Sequence, residues 1–144
     1  MATAFLPIRA RSLALVDDDD LAIQALVARV INRLGLVAVF ADNGEAAIAA
    51  VEAHRDSLAC AILDIVMPIM NGVDAAHAIQ ATMPSLPIVL MSGAIPDTYM
   101  DKISQLHIVD MLAKPFSIAH LQDLLRHAIG DGAALEQARI GWYI

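Results

Sequence analysis

Four apolar stretches of this chain each end in polar residues that could do chemistry. These residues are Asp17 with Asp18, then Asp64, Ser92 and Lys114. Three carboxylates, a hydroxyl and an amine suit a divalent cation and a phosphoryl group, with an aspartate as the nucleophile. A carboxylate that attacks an anionic phosphoryl group needs charge neutralisation, which a hard cation such as Mg²⁺ supplies.

The stretches that carry these residues alternate with segments of helical period. Strands are predicted over about 13–16, 36–40, 59–63, 87–91 and 108–113, and helices over about 23–34, 46–53, 73–83, 99–106 and 118–128. Five βα units in a row predict a doubly wound α/β fold, with a parallel sheet covered by helices on both faces. The carboxyl ends of parallel strands meet at one edge, where ligands bind, so the polar residues are expected to converge.

Some boundaries in this pattern are predicted from single residues. Gly35 is expected to end the first helix, Asp110 to interrupt the fifth strand, and Ile118 to join the apolar face of the last helix. The fourth helix has the thinnest support, since it rests on Tyr99, Ile103 and Leu106.

Composition excludes several classes of function. The chain has 144 residues, 58% of them hydrophobic, and a formal net charge of -7, which predicts one well-filled domain. The few basic residues are scattered, so binding to nucleic acid is not expected, and binding to a membrane surface is disfavoured. A single cysteine, Cys60, excludes an internal disulfide, and no apolar run approaches the roughly 20 residues of a membrane span. We therefore expect a cytoplasmic protein.

The domain organisation is predicted as a leader over 1–11, a domain over 12–130 and a tail over 131–144. The alternative prediction for residues 131–144 is a short extra helix. Its apolar end, Trp142 to Ile144, either folds back onto the domain or contacts a partner or a second copy.

The acidic run has two roles to fill. Aspartate is favoured at a helix N-cap and near the positive end of the helix dipole, so Asp19 or Asp20 is expected to cap the first helix. Asp17 and Asp18 are then expected to face the crevice and help to hold the cation. Lys114 is expected to pair with a phosphoryl oxygen, and Ser92 to offer a hydroxyl to another.

With these residues in place, the chain resembles the receiver domains of bacterial two-component response regulators. The resemblance covers about Leu13 to Ile129. It rests on Val16-Asp17-Asp18, Leu63-Asp64 with Met67-Pro68 and Asn71-Gly72, Met91-Ser92-Gly93, and Lys114-Pro115-Phe116.

The resemblance implies a set of roles. Asp64 is the phosphoacceptor; Asp17, Asp18, Asp64 and the backbone carbonyl of Val66 hold Mg²⁺ or Mn²⁺; Ser92 and Lys114 bind the phosphoryl oxygens. It also implies strand order 2-1-3-4-5 and a cis peptide bond before Pro115. The phosphoryl donor would be a histidine kinase or a histidine phosphotransfer protein.

Two departures from the family pattern affect function. Met111 stands where the family has the Tyr or Phe that moves with the Ser92 position on switching, so the switch pair here is Ser92 and Met111. Val66 and Ala94, two residues beyond Asp64 and Ser92, cannot orient a water, which predicts a long-lived phosphorylated state.

Three functions remain open. The first is a signalling switch with no output domain, which acts through changed binding to an unknown downstream protein and which could dimerise on phosphorylation. The second is a receiver that binds its partner constitutively, because Met111 lacks a ring and a hydroxyl. The third, least favoured, is a phosphatase with an aspartate nucleophile, which would need a second Asp where Val66 stands. In the first two cases the chain is not a turnover enzyme.

Overall fold

Five parallel strands form one sheet in the order β2-β1-β3-β4-β5. The computed structural model describes residues 11–95 and 97–130. The strands are β1 Leu13–Asp17, β2 Val37–Ala41, β3 Leu58–Asp64, β4 Ile88–Ser92 and β5 Asp110–Ala113. The helices are α1 Leu21–Arg33, α2 Gly44–Ala53, α3 Gly72–Thr82, α4 Met100–Ser104 and α5 Ile118–Ala128, with a 3-10 turn at Asp97–Tyr99. The predicted fold class and strand order are confirmed.

Side chains of the central strands alternate between two cores. Leu15 and Leu63 pack in the core on the side of α2, α3 and α4, whereas Val16 and Ile62 pack on the side of α1 and α5. Alternation along a strand requires this division, since successive side chains point to opposite faces. Burial on both faces explains why these strands are apolar without interruption.

Polar caps fix where the helices begin. Asp20, Asn43, Asn71 and Ser117 each accept a backbone N–H of the helix that follows, through the side-chain oxygen. Such caps satisfy amides that would otherwise lack a partner at a helix start. Asp20 is therefore the cap of α1, and Gly35, with φ of 85°, follows the end of that helix as predicted.

Three details differ from the predictions. β5 begins at Asp110 rather than being interrupted there, because Asp110 pairs with Val89 of β4 and its exposed carboxylate, which accepts the Met111 N–H at 2.7 Å, stays outside the core. α4 is only five residues long, and Ile103 is its one buried side chain. Ile118 is 44% exposed, because it begins α5 beyond the covered face of the sheet.

Two predicted segments lie wholly or mostly outside the residues that the structure describes. Residues 1–10 of the predicted leader, and the whole tail over 131–144 with its apolar end, lie outside the described residues. Within the described ranges, none of the helices is long and apolar enough to cross a membrane.

Candidate functional site

The polar residues singled out in the sequence meet at the carboxyl edge of the sheet. Asp64 is the last residue of β3, Ser92 the last of β4, and Lys114 directly follows β5. Asp18 directly follows β1, which is the neighbour of β3. The strand order therefore brings all four residues to one crevice, as the parallel topology requires.

Lys114 joins the two central carboxylates. Its Nζ donates to Asp18 Oδ2 at 2.8 Å and to Asp64 Oδ2 at 2.9 Å. Its backbone N–H donates to the Ser92 carbonyl at 2.9 Å, which anchors the lysine beside β4. The peptide bond before Pro115 is cis, as the resemblance implies. Hydrogen bonds between an ammonium and carboxylates are among the stronger ones in proteins, so this bridge sets the geometry of the crevice.

Three carboxylates gather around this bridge. Asp18, Asp19 and Asp64 each contribute one oxygen to a group whose members lie within 4.8 Å of one another. Asp18 Oδ1 accepts the Asp20 N–H at 2.9 Å, and Asp64 Oδ1 accepts the Val66 N–H at 3.3 Å. Carboxylate oxygens in a partly hydrated cluster are the ligands of a hard cation such as Mg²⁺, so the donor set fits the predicted ion.

Asp19 lies in this cluster beside two of the predicted metal ligands. The sequence predicted Asp17, Asp18, Asp64 and the Val66 carbonyl as ligands, and the structure groups Asp18 and Asp64 with Asp19. A role for Asp17 at the ion stays a prediction. Asp17 is the last residue of β1 and pairs with Ala41 and Leu63 on either side. Asp20 caps α1, so Asp19 is not used as the cap and joins Asp18 and Asp64 in this group. The position of the cap was the signal that could have identified Asp19.

Asp17 is a buried carboxylate at the end of β1. It is fully buried, and neither oxygen has a hydrogen-bond partner among the residues that the structure describes. Burial, followed by repulsion from Asp64 and Asp18, raises the pKa of Asp17 to about 7. The residue therefore adds a proton-binding group directly behind the acidic cluster.

The pKa values of Asp64 and Lys114 are each set by opposing effects of burial and of their ion pair. Burial raises the pKa of Asp64, and this outweighs the hydrogen bond and charge of Lys114, which lower it. Burial alone would lower the pKa of Lys114, but its hydrogen bonds to Asp18 and Asp64 outweigh that effect and raise the pKa. The lysine is consequently held in its charged form beside the predicted nucleophile.

The two predicted switch residues lie beside the crevice without bonding to Asp64. The Ser92 hydroxyl donates to the Ala94 carbonyl and accepts the Ala94 N–H at 3.1 Å, so it is engaged with its own loop. Met111 lies in β5 opposite Leu90 and packs, half-buried, against the core on the α3 and α4 side. A rotation of Ser92 would have to break its contacts with Ala94.

The loop after Asp64 is packed by two glycines. The Gly72 N–H donates to the Ile65 carbonyl at 2.9 Å, and a Cβ added at Gly72 would lie 2.0 Å from the Asp64 carbonyl oxygen. The Gly44 N–H donates to the Met70 carbonyl at 3.0 Å, and a Cβ added at Gly44 would lie 2.5 Å from the Met70 carbonyl oxygen. The sequence offered no prediction of this role for Gly44, because the role depends on its contact with Met70.

Fold and site together define a doubly wound α/β domain with an acidic centre, able to hold a cation, around an aspartate and a lysine. The family model described as "Response regulator receiver domain" matches residues 13–126. The chain belongs to this family of two-component signalling domains.

Individual relatives agree with this assignment. The autoinducer 1 sensor kinase/phosphatase LuxN of Vibrio campbellii is 35% identical over 120 residues, which are 83% of this chain and 13% of LuxN. The chain therefore spans only a small part of that relative. The receiver domain of the sensor histidine kinase PA1611 from Pseudomonas aeruginosa PAO1 is 25% identical with a TM-score of 0.72, and the match covers 83% of this chain and 98% of that one. That structure has a magnesium ion coordinated in its active site cleft.

The fold alone is shared more widely. A CheY-like receiver domain protein from Methanospirillum hungatei JF-1 has a TM-score of 0.76 at 18% identity, over 87% of this chain and 98% of that one. Receiver domains interact with histidine kinases and phosphotransfer proteins, and they bind Mg²⁺ at a cluster of aspartates. In this chain, Asp18, Asp19 and Asp64 form a cluster that could hold a metal ion.

Proposed function

We propose that this chain is a phospho-accepting receiver. Asp64 takes a phosphoryl group from a histidine kinase or histidine phosphotransfer protein, and the modified domain changes its binding to a downstream protein. The observation that carries the proposal is the placement of the Lys114 ammonium 2.9 Å from Asp64 and 2.8 Å from Asp18. This places a fixed positive charge where an incoming phosphoryl group would need one.

The chemistry uses groups of this chain at each step. An oxygen of the Asp64 carboxylate attacks phosphorus, the P–N bond of the donor phosphohistidine breaks, and its electron pair returns to the imidazole nitrogen. Lys114 would pair with one phosphoryl oxygen. The Ser92 hydroxyl would reach another after it leaves Ala94. The product is an acyl phosphate on Asp64.

A divalent cation, Mg²⁺ or Mn²⁺, completes the proposed site. Asp18, Asp19 and Asp64 would hold it, with the backbone carbonyl of Val66 as a further ligand. When bound, it supplies positive charge that offsets the repulsion between the Asp64 carboxylate and the phosphoryl oxygens. Asp17 is proposed to help Asp18 hold the ion, since it is fully buried, neither of its oxygens has a hydrogen-bond partner among the described residues, and Asp64 and Asp18 repel its charge.

Several features support a signalling role over turnover. A phosphatase with an aspartate nucleophile would need a general acid two residues after Asp64, and the aliphatic Val66 stands there. A net charge of -7 without a basic stripe favours protein partners over nucleic acid. We place the chain in the cytoplasm, where its kinase partners present their phosphohistidine.

A constitutively binding receiver is the second candidate. The observation that favours it is the Ser92 hydroxyl held by Ala94, together with Met111 in the place of an aromatic ring. Amide NMR spectra with and without beryllofluoride would separate the candidates. Shifts confined to the crevice would favour constitutive binding, whereas shifts that extend through α4 and β5 would favour a switch.

The proposed chemistry is tested by intact mass after incubation with acetyl phosphate. We expect one added phosphoryl group in the presence of Mg²⁺, and none with EDTA or in Asp64→Asn. Asp56→Asn is the control, since Asp56 is an exposed carboxylate that precedes β3 at the opposite edge of the sheet. Labelling of Asp64→Asn, or labelling that does not need Mg²⁺, would contradict the assignment.

A further inference from the structure

The edge strand β2 is apolar along its whole length. Val37–Ala41 contains no charged residue and no proline. It pairs with β1 in an unbroken register, so it has no bulge, and within the described part of the chain no strand pairs with its other side. Edge strands usually carry a charge, a proline or a bulge that keeps other chains from pairing with them. β2 has none of these features.

The backbone groups on the open side of β2 follow from its pairing with β1. The Val37 N–H donates to the Ser12 carbonyl at 2.8 Å, and the Ala41 carbonyl accepts the N–H of the residue after β1 at 3.0 Å. Alternate residues of a strand bond to the same neighbour, so Ala38 and Phe40 direct their N–H and C=O groups toward the open side. These donors and acceptors are available to a further strand.

Apolar side chains accompany these backbone groups. Val37 is 57% exposed and Phe40 is 48% exposed. Ala38 packs against the core on the α1 side, so Phe40, two residues on, lies on that side as well, whereas Val39 packs on the α2 side. A strand that paired with β2 would gain main-chain hydrogen bonds and would also cover apolar surface.

The charges near the two ends of β2 are opposite in sign. Arg33, the last residue of α1, is exposed near the amino end, whereas Asp42 and Glu45 are exposed just after the carboxyl end. Glu52 pairs with Arg55 at 3.3 Å, so that pair adds no net charge. An identical strand laid antiparallel to β2 would bring opposite charges together at both ends, and a parallel one would bring like charges together. This complementarity favours a second copy of the chain as the occupant.

We propose that β2 pairs antiparallel with β2 of a second copy, about a two-fold axis at Val39. In this register Ala38 of each copy is opposite Phe40 of the other, and the outward backbone groups of both residues all find partners. Each Phe40 ring then lies beside an alanine and within diagonal reach of the other ring. The interface goes beyond the proposed function, because it uses the sheet edge opposite β5 and needs no phosphoryl group.

Sedimentation velocity of the whole 144-residue chain tests the pairing, without a phosphoryl donor and at about 5–500 μM. Phe40→Lys places two ammonium groups near each other across the axis. Ala38→Pro removes an outward donor and leaves the hydrogen bonds to β1 in place. Met100→Lys is the matched control, since Met100 is also 48% exposed but lies in α4. Circular dichroism establishes that each variant is folded.

We expect a concentration-dependent dimer in the wild type and equally in Asp64→Asn. Phe40→Lys and Ala38→Pro each raise the Kd of the dimer at least about tenfold, whereas Met100→Lys leaves it within about twofold of the wild type. In the wild type, amide exchange at Ala38 and Phe40 slows as the concentration rises, because their N–H groups become bonded in the dimer.

Charge reversal tests the direction of the pairing. Arg33→Glu alone and Asp42→Arg alone each raise the Kd of the dimer about threefold, since each brings like charges together at the strand ends. The double variant restores opposite charges across the axis and returns the Kd to within about twofold of the wild type. A double variant weaker than either single one would overturn the antiparallel arrangement.

Three further outcomes would overturn the proposal. The first is a wild type that stays monomeric over the whole concentration range. The second is a dimer that Met100→Lys weakens and Phe40→Lys does not, which would place the interface at α4. The third is slow amide exchange at Ala38 and Phe40 in the monomer, which would mean that another segment of the same chain covers this edge. Failure of Asp64 to accept a phosphoryl group would remove the proposed function and leave this inference standing.

Discussion

The crevice at the carboxyl edge and the contact between α3 and α4 are both built from charged and polar side chains, but they differ in exposure. Asp18 is fully buried, and the side chain of its partner Lys114 is 20% exposed. On the other side of the domain, Lys102 Nζ pairs with Asp74 Oδ1 at 3.0 Å, with side-chain exposures of 53% and 43%. The first pair is shielded from water, and the second is not.

The α3–α4 contact consists of several such exposed bonds. His77 Nε2 lies 2.9 Å from the Lys102 carbonyl, and the Gln80 amide makes bonds of 2.8 and 3.1 Å to the His107 backbone. We call Asp74, His77, Gln80, Lys102 and His107 the polar seam. Exposed ion pairs contribute about 0.2–1 kcal/mol each, whereas breaking a buried pair has a cost of about 3–5 kcal/mol. The crevice is therefore fixed, while α4 is held by contacts that can be exchanged.

The largest effect is expected from Gly72→Ala, because the added methyl would clash with the backbone of Asp64. The added methyl would lie 2.0 Å from the Asp64 carbonyl oxygen and 2.8 Å from its carbon, so the backbone must move. We expect a loss of about 3 kcal/mol or more in the free energy of unfolding, measured by urea denaturation.

Gly93→Ala is the matched control. Within the described part of the chain, a Cβ at Gly93 meets no atom within 4 Å, although the residue also borders the crevice. Equal losses from the two substitutions would show that the packing of Gly72 on Asp64 is not what holds this edge together.

Asp17→Asn is expected to stabilise the protein, with an effect that depends on pH. The folded-state pKa of Asp17 is raised from 3.8 to about 7, so between these values the folded state holds a proton that the unfolded state has released. Stability therefore falls as pH rises from about 4 to about 7 and then levels off. In EDTA, we expect Asp17→Asn to raise the melting temperature by several degrees at pH 8 and by little at pH 4.

A neighbouring carboxylate provides the comparison for this effect. Asp42 follows β2, is exposed and also repels Asp17. Asp42→Asn should change the melting temperature at pH 8 much less than Asp17→Asn does. A stabilisation by Asp17→Asn that is the same at pH 4 and pH 8 would refute the raised pKa.

Val66→Asn tests the lifetime of the acyl phosphate. Val66 offers no group that could orient a water, so we expect slow hydrolysis in the wild type and a rate about tenfold higher with asparagine. Phosphoryl loss from Asp64 can be followed by mass after removal of acetyl phosphate. Val66→Leu should leave the lifetime unchanged, and an asparagine variant with the wild-type lifetime would count against the prediction.

The smallest effect is expected from Asp74→Asn in the polar seam. The hydrogen bond from Lys102 lowers the pKa of Asp74, so its stabilisation is present above about pH 4 and is lost as pH falls further. We expect a loss of less than about 1 kcal/mol in global stability, but faster amide exchange in α4. Asp123→Asn is the control, because its 4.0 Å pair with Arg126 lies within α5. Unchanged exchange in α4 would mean that the seam does not restrain it.

The sequence was a good guide wherever apolar runs end abruptly. Asp64, Ser92 and Lys114 could be placed in one crevice because each closes a strand, and parallel topology then brings strand ends together. The fold class followed from the same alternation of periods. Neither inference needed knowledge of any individual contact.

The sequence was a poor guide in two situations. One is a run of identical residues that take different roles, and the other is a residue in a conformation unusual for its type. In the run from Asp17 to Asp20, the choice of cluster members depends on which aspartate caps α1, and composition does not settle that. Ile69, with φ of 68°, gave no signal, since positive φ is expected of Gly or Asn. α4 was indistinct because only Ile103 within it is buried, so little periodic pattern exists to read.

The lysine bridge also has a consequence for the order in which a newly made chain becomes reactive. Lys114 is separated by 96 residues from Asp18 and by 50 from Asp64. A growing chain exposes β1, β3 and β4 before the lysine leaves the ribosome, since synthesis runs from the N-terminus. Until then the carboxylates have no ammonium beside them. On the proposed function, a nascent chain should therefore resist phosphorylation until β5 and Lys114 have joined the sheet.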